Sequence, residues 1–153
     1  METVLPRWQD DDGVAAWAAF LRAYAAVVPS IDAELRRGSG LPLTWYDVLL
    51  ELSAAPGQRL RMQDLGQRAV ISRTRASRVV DELVTAGYVS REANPDDKRS
   101  SFATLTVEGR RVFRRAAPRY LDAVRRQFAD PLSPEQLRFL RDALEQLLDS
   151  SAQ

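Results

Sequence analysis

Residues 72–89 read SRTRASRVVDELVTAGYV: an arginine-rich polar opening, an apolar helical period, a glycine stop and the start of an extended run. Ser72 has the side chain of a helix N-cap. Ala76, Val79, Val80 and Leu83 recur at three- and four-residue steps and form one apolar face. Arg73, Thr74, Arg75, Ser77 and Arg78 fill the first turns around it. Gly87 stands where a left-handed residue ends a helix. Beyond it the period becomes extended, with short strands expected at Tyr88–Arg91 and Phe102–Leu105. Between them Ala93–Ser100 reads as a polar turn rich in breakers.

Upstream, Arg59–Arg61 is short and extended, and Met62–Ala69 is a brief helix around Leu65. Val70-Ile71 connects it tightly to the Ser72 helix. An earlier helix starts at Thr44, where Thr44-Trp45-Tyr46-Asp47 has the form of a capping box, and stops near Ala55 before Pro56-Gly57. Three helices joined by short turns and followed by a hairpin make a helix-turn-helix with a wing.

The outer segments are long helices. Residues 12–37 carry a stripe of Val14, Trp17, Phe20, Leu21, Tyr24, Val28, Ile31 and Leu35, capped by Asp11 or Asp12 and ended by Gly38-Ser39-Gly40. Pro29 lies inside this pattern and is expected to kink the helix or split it. Thr106 caps a helix running from Val107 towards Ala129, with a bend expected at Pro118. Ser133-Pro134-Glu135-Gln136 opens a last helix with N-cap, Pro at N1 and Gln at N3, followed by Leu137, Leu140, Leu144, Leu147 and Leu148. The expected fold is mainly α, an α+β winged helix. Its winged helix-turn-helix unit, residues 41–115, is flanked by 12–40 and 116–150 as dimerisation helices within a single domain of residues 1–153. Wide apolar faces on those helices point to a C₂ homodimer.

Composition narrows the chemistry. The chain has 153 residues, no Cys and no His, which excludes disulfides, thiolate redox sensing, zinc sites built on thiolate or imidazole, and Ser-His or Cys-His catalysis. No uninterrupted apolar run of the roughly 18 residues a membrane helix needs is expected, because Arg22 and Pro29 break the longest candidate. Glu2 and Asp10-Asp11-Asp12 do not match a secretory signal, so a soluble cytoplasmic protein is expected. The net charge of +1 conceals a segregation: 4 Arg against 8 acids in residues 1–56, 12 Arg and 1 Lys against 7 acids in 57–115, and 5 Arg against 6 acids in 116–153. A basic middle between acidic ends fits a nucleic-acid-binding unit. The competing reading is that Arg is the default cation, since 21 of the 22 basic residues are Arg.

On these residues the sequence resembles the MarR family of bacterial winged helix-turn-helix transcriptional regulators over roughly 12–150. The family's central pattern appears as Asp64-Leu65-Gly66, Ser72, Arg78-Val79-Val80-Asp81-Glu82-Leu83 and Gly87-Tyr88-Val89, and its wing pattern as Asp97-Lys98-Arg99, Leu105-Thr106 and Gly109. It departs from the family at Gly66, commonly Ala there, at Arg61-Met62, where Ser or Thr often opens the short helix, and at Pro29.

A recognition helix reads base edges in the major groove from its N-terminal turns. Here Ser72 caps that helix, Arg73, Thr74, Arg75 and Ser77 are expected to face the groove, and Arg78 is shared between phosphate and structure. The resemblance makes Arg99 the wing-tip arginine of the minor groove, where narrow A·T-rich stretches concentrate negative potential. Asp97 is expected to structure the wing, by an ion pair or by capping turn amides. Lys98 and Arg91 are expected phosphate contacts. The partners are thus double-stranded DNA and a second copy of the chain, on an inverted repeat with half-sites about 34 Å apart. The resemblance further implies a small aromatic or phenolic effector between bundle and winged unit. Trp17, Phe20, Tyr24, Trp45, Tyr46 and Phe113 are candidates for its walls, with ordinary core as the competing reading for each. No cofactor or metal is expected. Two other readings are a winged helix kept for protein contacts and an enzyme using the pairs Asp81/Glu82, Asp142/Glu145 or Asp96/Asp97. No nucleophile, oxyanion loop or phosphate-cradling Gly motif accompanies those carboxylates.

Overall fold

The computed structural model describes residues 11–69 and 73–152, with Arg73 and Thr74 described by their backbone alone. The elements run α1 (Asp12–Ser39), α2 (Leu43–Ala54), a 3₁₀ turn (Pro56–Gln58), β1 (Arg59–Arg61), α3 (Met62–Arg68), α4 (Arg73–Thr85), β2 (Val89–Asn94), β3 (Asp97–Leu105), α5 (Val107–Val124), a π-helical segment (Arg125–Ala129) and α6 (Pro134–Ser151). The sheet is antiparallel in the order β1-β3-β2, with Leu60 opposite Ala103 and Val89 opposite Leu105. The main core lies where α2, α3, α4 and the sheet meet, around the fully buried Leu35, Val48, Leu49, Leu52, Leu65, Val80 and Leu83. Burying each such side chain contributes about 1.5–3 kcal/mol.

Local signals build most helix ends. Asp11 caps α1 by accepting from the amides of Gly13 at 2.8 Å and Val14 at 3.1 Å. Gly40, at φ +77°, ends it. Ser133 and Gln136 form a reciprocal capping box at α6. Gly87, at φ +82°, closes α4 as its amide donates to the Val84 carbonyl and that of Tyr88 to the Leu83 carbonyl, a Schellman pair.

Four expectations need correction. Thr44 does not cap α2. The helix begins at Leu43, whose amide donates at 2.7 Å to Oδ1 of Asp32 on α1, so a carboxylate eleven residues away performs the capping. Asp32→Ala is therefore expected to cost about 1 kcal/mol, readable in urea unfolding. Pro29 does not split α1, which continues for 28 residues. One turn of missing amide is tolerated there, and Ser30 Oγ donates to the Ala26 carbonyl at 2.9 Å. By length and composition α1 is also apolar enough to cross a membrane, because Arg22 is the one charged residue between Gly13 and Ile31. Lastly, the strands invade the expected turn: β2 reaches Asn94, β3 starts at Asp97, and Pro95-Asp96 alone connect them. The strand ends at Asn94 and Asp97 are braced by side-chain bonds that composition does not reveal.

The outer helices are incompletely covered. Ile31 and Leu35 at the end of α1 are buried, but Trp17 and Phe20 remain 59% and 44% exposed, and α6 buries no residue within the chain.

Candidate nucleic-acid interface and the cleft beside it

α4 presents its apolar face inward, with Ala76, Val79, Val80 and Leu83 buried, leaving Arg75 and Arg78 exposed and Ser77 half-buried. Ser72 lies outside the described residues, and Arg73 and Thr74 occupy the first turn of α4. Arg91, on β2, is engaged within the fold. It makes an ion pair with Asp81 at 3.0 Å and donates to Ser77 Oγ at 3.3 Å and Met62 Sδ at 3.8 Å. It thus ties the wing to α4 and α3.

The wing tip is built by side chains. The ladder steps from Ala93 opposite Ser101 to Asn94 opposite Asp97, so Lys98, Arg99 and Ser100 bulge from β3. Asn94 is buried. Its Oδ1 accepts from the Asp96 amide and its Nδ2 donates to Ser100 Oγ, both at 3.0 Å. Asp97 Oδ1 accepts the Arg99 amide at 3.0 Å. Lys98 and Arg99 are exposed and form no ion pair among the described residues. The arrangement holds two cations at the apex of a braced hairpin, where they can meet a polyanion.

A cleft of about 410 Å³ opens between α1, α2, α4 and α5. Tyr24, Tyr46, Tyr120 and Leu50 supply its apolar walls, and Asp32, Asp47 and Arg75 its charged rim. Of the six aromatics proposed from sequence, it brings together Tyr24 and Tyr46. Phe113 stacks behind Tyr46 at 5.2 Å as core. Trp45 turns elsewhere, donating from Nε1 to Glu82 at 2.7 Å and meeting Tyr88 edge-on. Trp17 and Phe20 stack on each other at 6.0 Å on the open half of α1. Tyr120, which stacks on Tyr46 at 4.4 Å, and Arg75 were not read as lining from sequence. Tyr120 sits on the apolar period of α5 and was discoverable there; Arg75 carried only its recognition-helix position.

Burial pushes the Tyr46 phenol up to about 12 and raises that of Tyr120 as well. The native chain then holds protons that an unfolded chain releases near pH 10. Stability should be full below about pH 10 and fall by about 2–3 kcal/mol as pH rises towards 12. Urea midpoints measured across this window should show the fall, and Tyr46→Phe should flatten it.

The MarR family profile matches residues 39–100. Sco3205 of Streptomyces coelicolor, a MarR family transcriptional regulator solved in complex with DNA, is 38% identical, with a TM-score of 0.85 over 95% of this chain and 91% of that one. The chain belongs to the MarR family. AbsC, another regulator of this family from S. coelicolor, is 33% identical, with a TM-score of 0.84 over 95% of this chain and 98% of that one. The HTH-type transcriptional repressor Rv2887 of Mycobacterium tuberculosis is 34% identical over 120 residues, 78% of this chain and 84% of that protein. As a MarR family member, this protein is a winged helix-turn-helix transcriptional regulator that binds DNA, and it is not an enzyme.

Proposed function

We propose that this MarR family regulator is a cytoplasmic homodimeric repressor that reads an inverted-repeat operator and is released by a small aromatic anion. The observation that carries the reading is the position of Arg75, which belongs at once to the first turns of α4 and to the wall of the tyrosine-lined cleft. An aromatic carboxylate stacking among the tyrosines would draw on the same guanidinium that faces the major groove, so occupancy of the cleft and groove reading compete. PcaV of S. coelicolor, 26% identical with a TM-score of 0.70, was solved in complex with its natural ligand. Dimerisation is supported by the apolar residues that the lone chain leaves in water: Trp17 and Phe20 on α1, and Phe139, Leu147 and Leu148 on α6. In the dimer, 12–40 and 116–150 form the bundle and 41–115 the reading unit. Arg73, Thr74, Arg75, Ser77 and Arg78 face the major groove below the Ser72 cap, Arg99 enters the minor groove and Lys98 contacts phosphate.

Selection of a randomised duplex library by the purified protein should enrich an inverted repeat with half-sites about one helical turn apart. Arg75→Ala should cost about 1–3 kcal/mol in operator binding and relax preference at one base position per half-site. It should also blunt release by benzoate or 4-hydroxybenzoate. A selected site without two-fold symmetry, or release by neither probe, would sink the corresponding part.

A further inference from the structure

The basic surface of this protein does not end at the reading face. α5 carries Arg110, Arg111, Arg114 and Arg115 along one groove, and Arg119, a turn further on, lies against Gly38 of α1. Arg111 is paired with Glu108 at 3.0 Å, whereas Arg110, Arg114, Arg115 and Arg119 take part in no ion pair among the described residues. The Nε of Arg110 is buried with no hydrogen-bond partner. A shallow groove of about 430 Å³ is lined by Val107 and four of these arginines. Like charges four residues apart on a helix repel, and the pairs 110/114, 111/115 and 115/119 all lower the stability of α5. Such a face is held against its own repulsion and gains when an anion covers it.

The groove lies remote from the residues that read the operator. Thr106 Oγ donates to the Gly87 carbonyl at 2.7 Å, which seats the start of α5 at the C-terminal end of α4. The groove-reading turns are at the other end of α4, about 18 Å away. The wing tip is at the far end of β3, about 27 Å away. We infer that the arginine face of α5 is a second DNA site, binding the phosphate backbone of a separate duplex while the recognition helices hold the operator. Arg110 to Arg115 spans about 7.5 Å of helix, matching about two steps of a backbone strand at 3.4 Å each. Planar guanidinium forks suit phosphate oxygens. An acidic protein would instead require apolar anchors among the charges, and of the residues lining this groove Val107 alone is apolar. The protein would then bridge two duplexes, or pass from one to another without releasing both.

The test loads full-length protein onto an immobilised mixed-sequence duplex and offers a second, labelled duplex. Arg111, Arg114 and Arg115 are exposed, so Arg111→Ala/Arg114→Ala/Arg115→Ala should fold and load normally. It should capture about tenfold less of the second duplex, and the salt slope of capture should fall by about 2–3. Equal capture by the triple variant, or no capture by the wild type, would overturn the inference. So would displacement of the second duplex by polyglutamate at lower charge equivalents than competing DNA, which would move the face to an acidic protein partner. A Lys98→Ala/Arg99→Ala chain separates this inference from the operator reading. Residual salt-dependent duplex retention that the α5 substitutions remove supports the second site even with the reading face impaired, and absence of such retention overturns it. Failure of the wild type to enrich any sequence would count against the operator alone.

Discussion

Gly109→Ala is expected to lower stability by about 3 kcal/mol or more, a severe effect for a single methyl group. A Cβ at this position would stand 1.9 Å from the carbonyl oxygen of Tyr88, 2.8 Å from its carbon and 3.0 Å from Leu105 Cδ1. Two of these atoms are backbone and cannot swing aside. The Tyr88 carbonyl also accepts the Thr106 amide at 3.1 Å, and the Tyr88 amide closes the end of α4. Moving it would disturb the hinge at which recognition helix, wing and α5 meet. The same residue in the first turn of α5 donates its amide to Thr106 Oγ at 3.0 Å, so the capping position forces the close approach. Helix propensity alone favours Ala over Gly by about 1 kcal/mol, so the steric term must exceed that gain. For a chain of this size the melting temperature should fall by about 6–12 °C. Gly38→Ala is the control: its Cβ would meet the Arg119 side chain at 3.2 Å, a flexible stem that can give, and the change should stay within about 1 kcal/mol. A Gly109→Ala protein as stable as wild type would show that the α4–wing–α5 junction is packed otherwise than described.

Arg99→Ala should produce the largest loss in operator affinity, tenfold or more and about 1–3 kcal/mol, with dimerisation and melting temperature unchanged. The guanidinium stands on a bulge held out from the sheet by Asn94, Asp97 and Ser100, so its position does not depend on DNA being present. That pre-organisation removes ordering cost on binding. Lys98→Ala, by contrast, should weaken binding to all sequences evenly and reduce the salt slope by about 1. The measurement is a salt titration of operator and mixed-sequence duplexes for each variant. Equal losses on both duplexes for Arg99→Ala would reduce it to a phosphate contact, and no loss would remove the wing tip from the interface.

The element order, the inward face of α4, the Asp11, Thr106 and Ser133 caps and the Gly40 and Gly87 stops were legible in the sequence. Each arises from groups within four or five residues of one another, so spacing suffices. The wing existed in that reading, but its length did not, because Asn94, Asp97 and Ser100 convert breaker residues into braced strand ends only once the hairpin has closed. Arg75, Arg91 and Arg99 are chemically identical, and nothing local assigns them different surroundings. Packing puts one in the wall of a cleft, ties the second to Asp81 and Ser77, and raises the third on a bulge. The cap on α2 escaped for the same reason: a nearby threonine fits the local pattern, yet the amide of Leu43 meets Asp32 across the α1–α2 corner. The apolar stripe of α1 was visible throughout, although periodicity states only which residues share a face. Its partner decides how much of that face is covered, and within the chain α5 and the core reach Ile31 and Leu35 while leaving Trp17 and Phe20 in water. Sequence by itself determined the helices, the hairpin and the basic middle, since backbone period and composition are properties of short windows. Tertiary structure alone decided where each arginine stands and what it touches, because that depends on groups brought together from far along the chain.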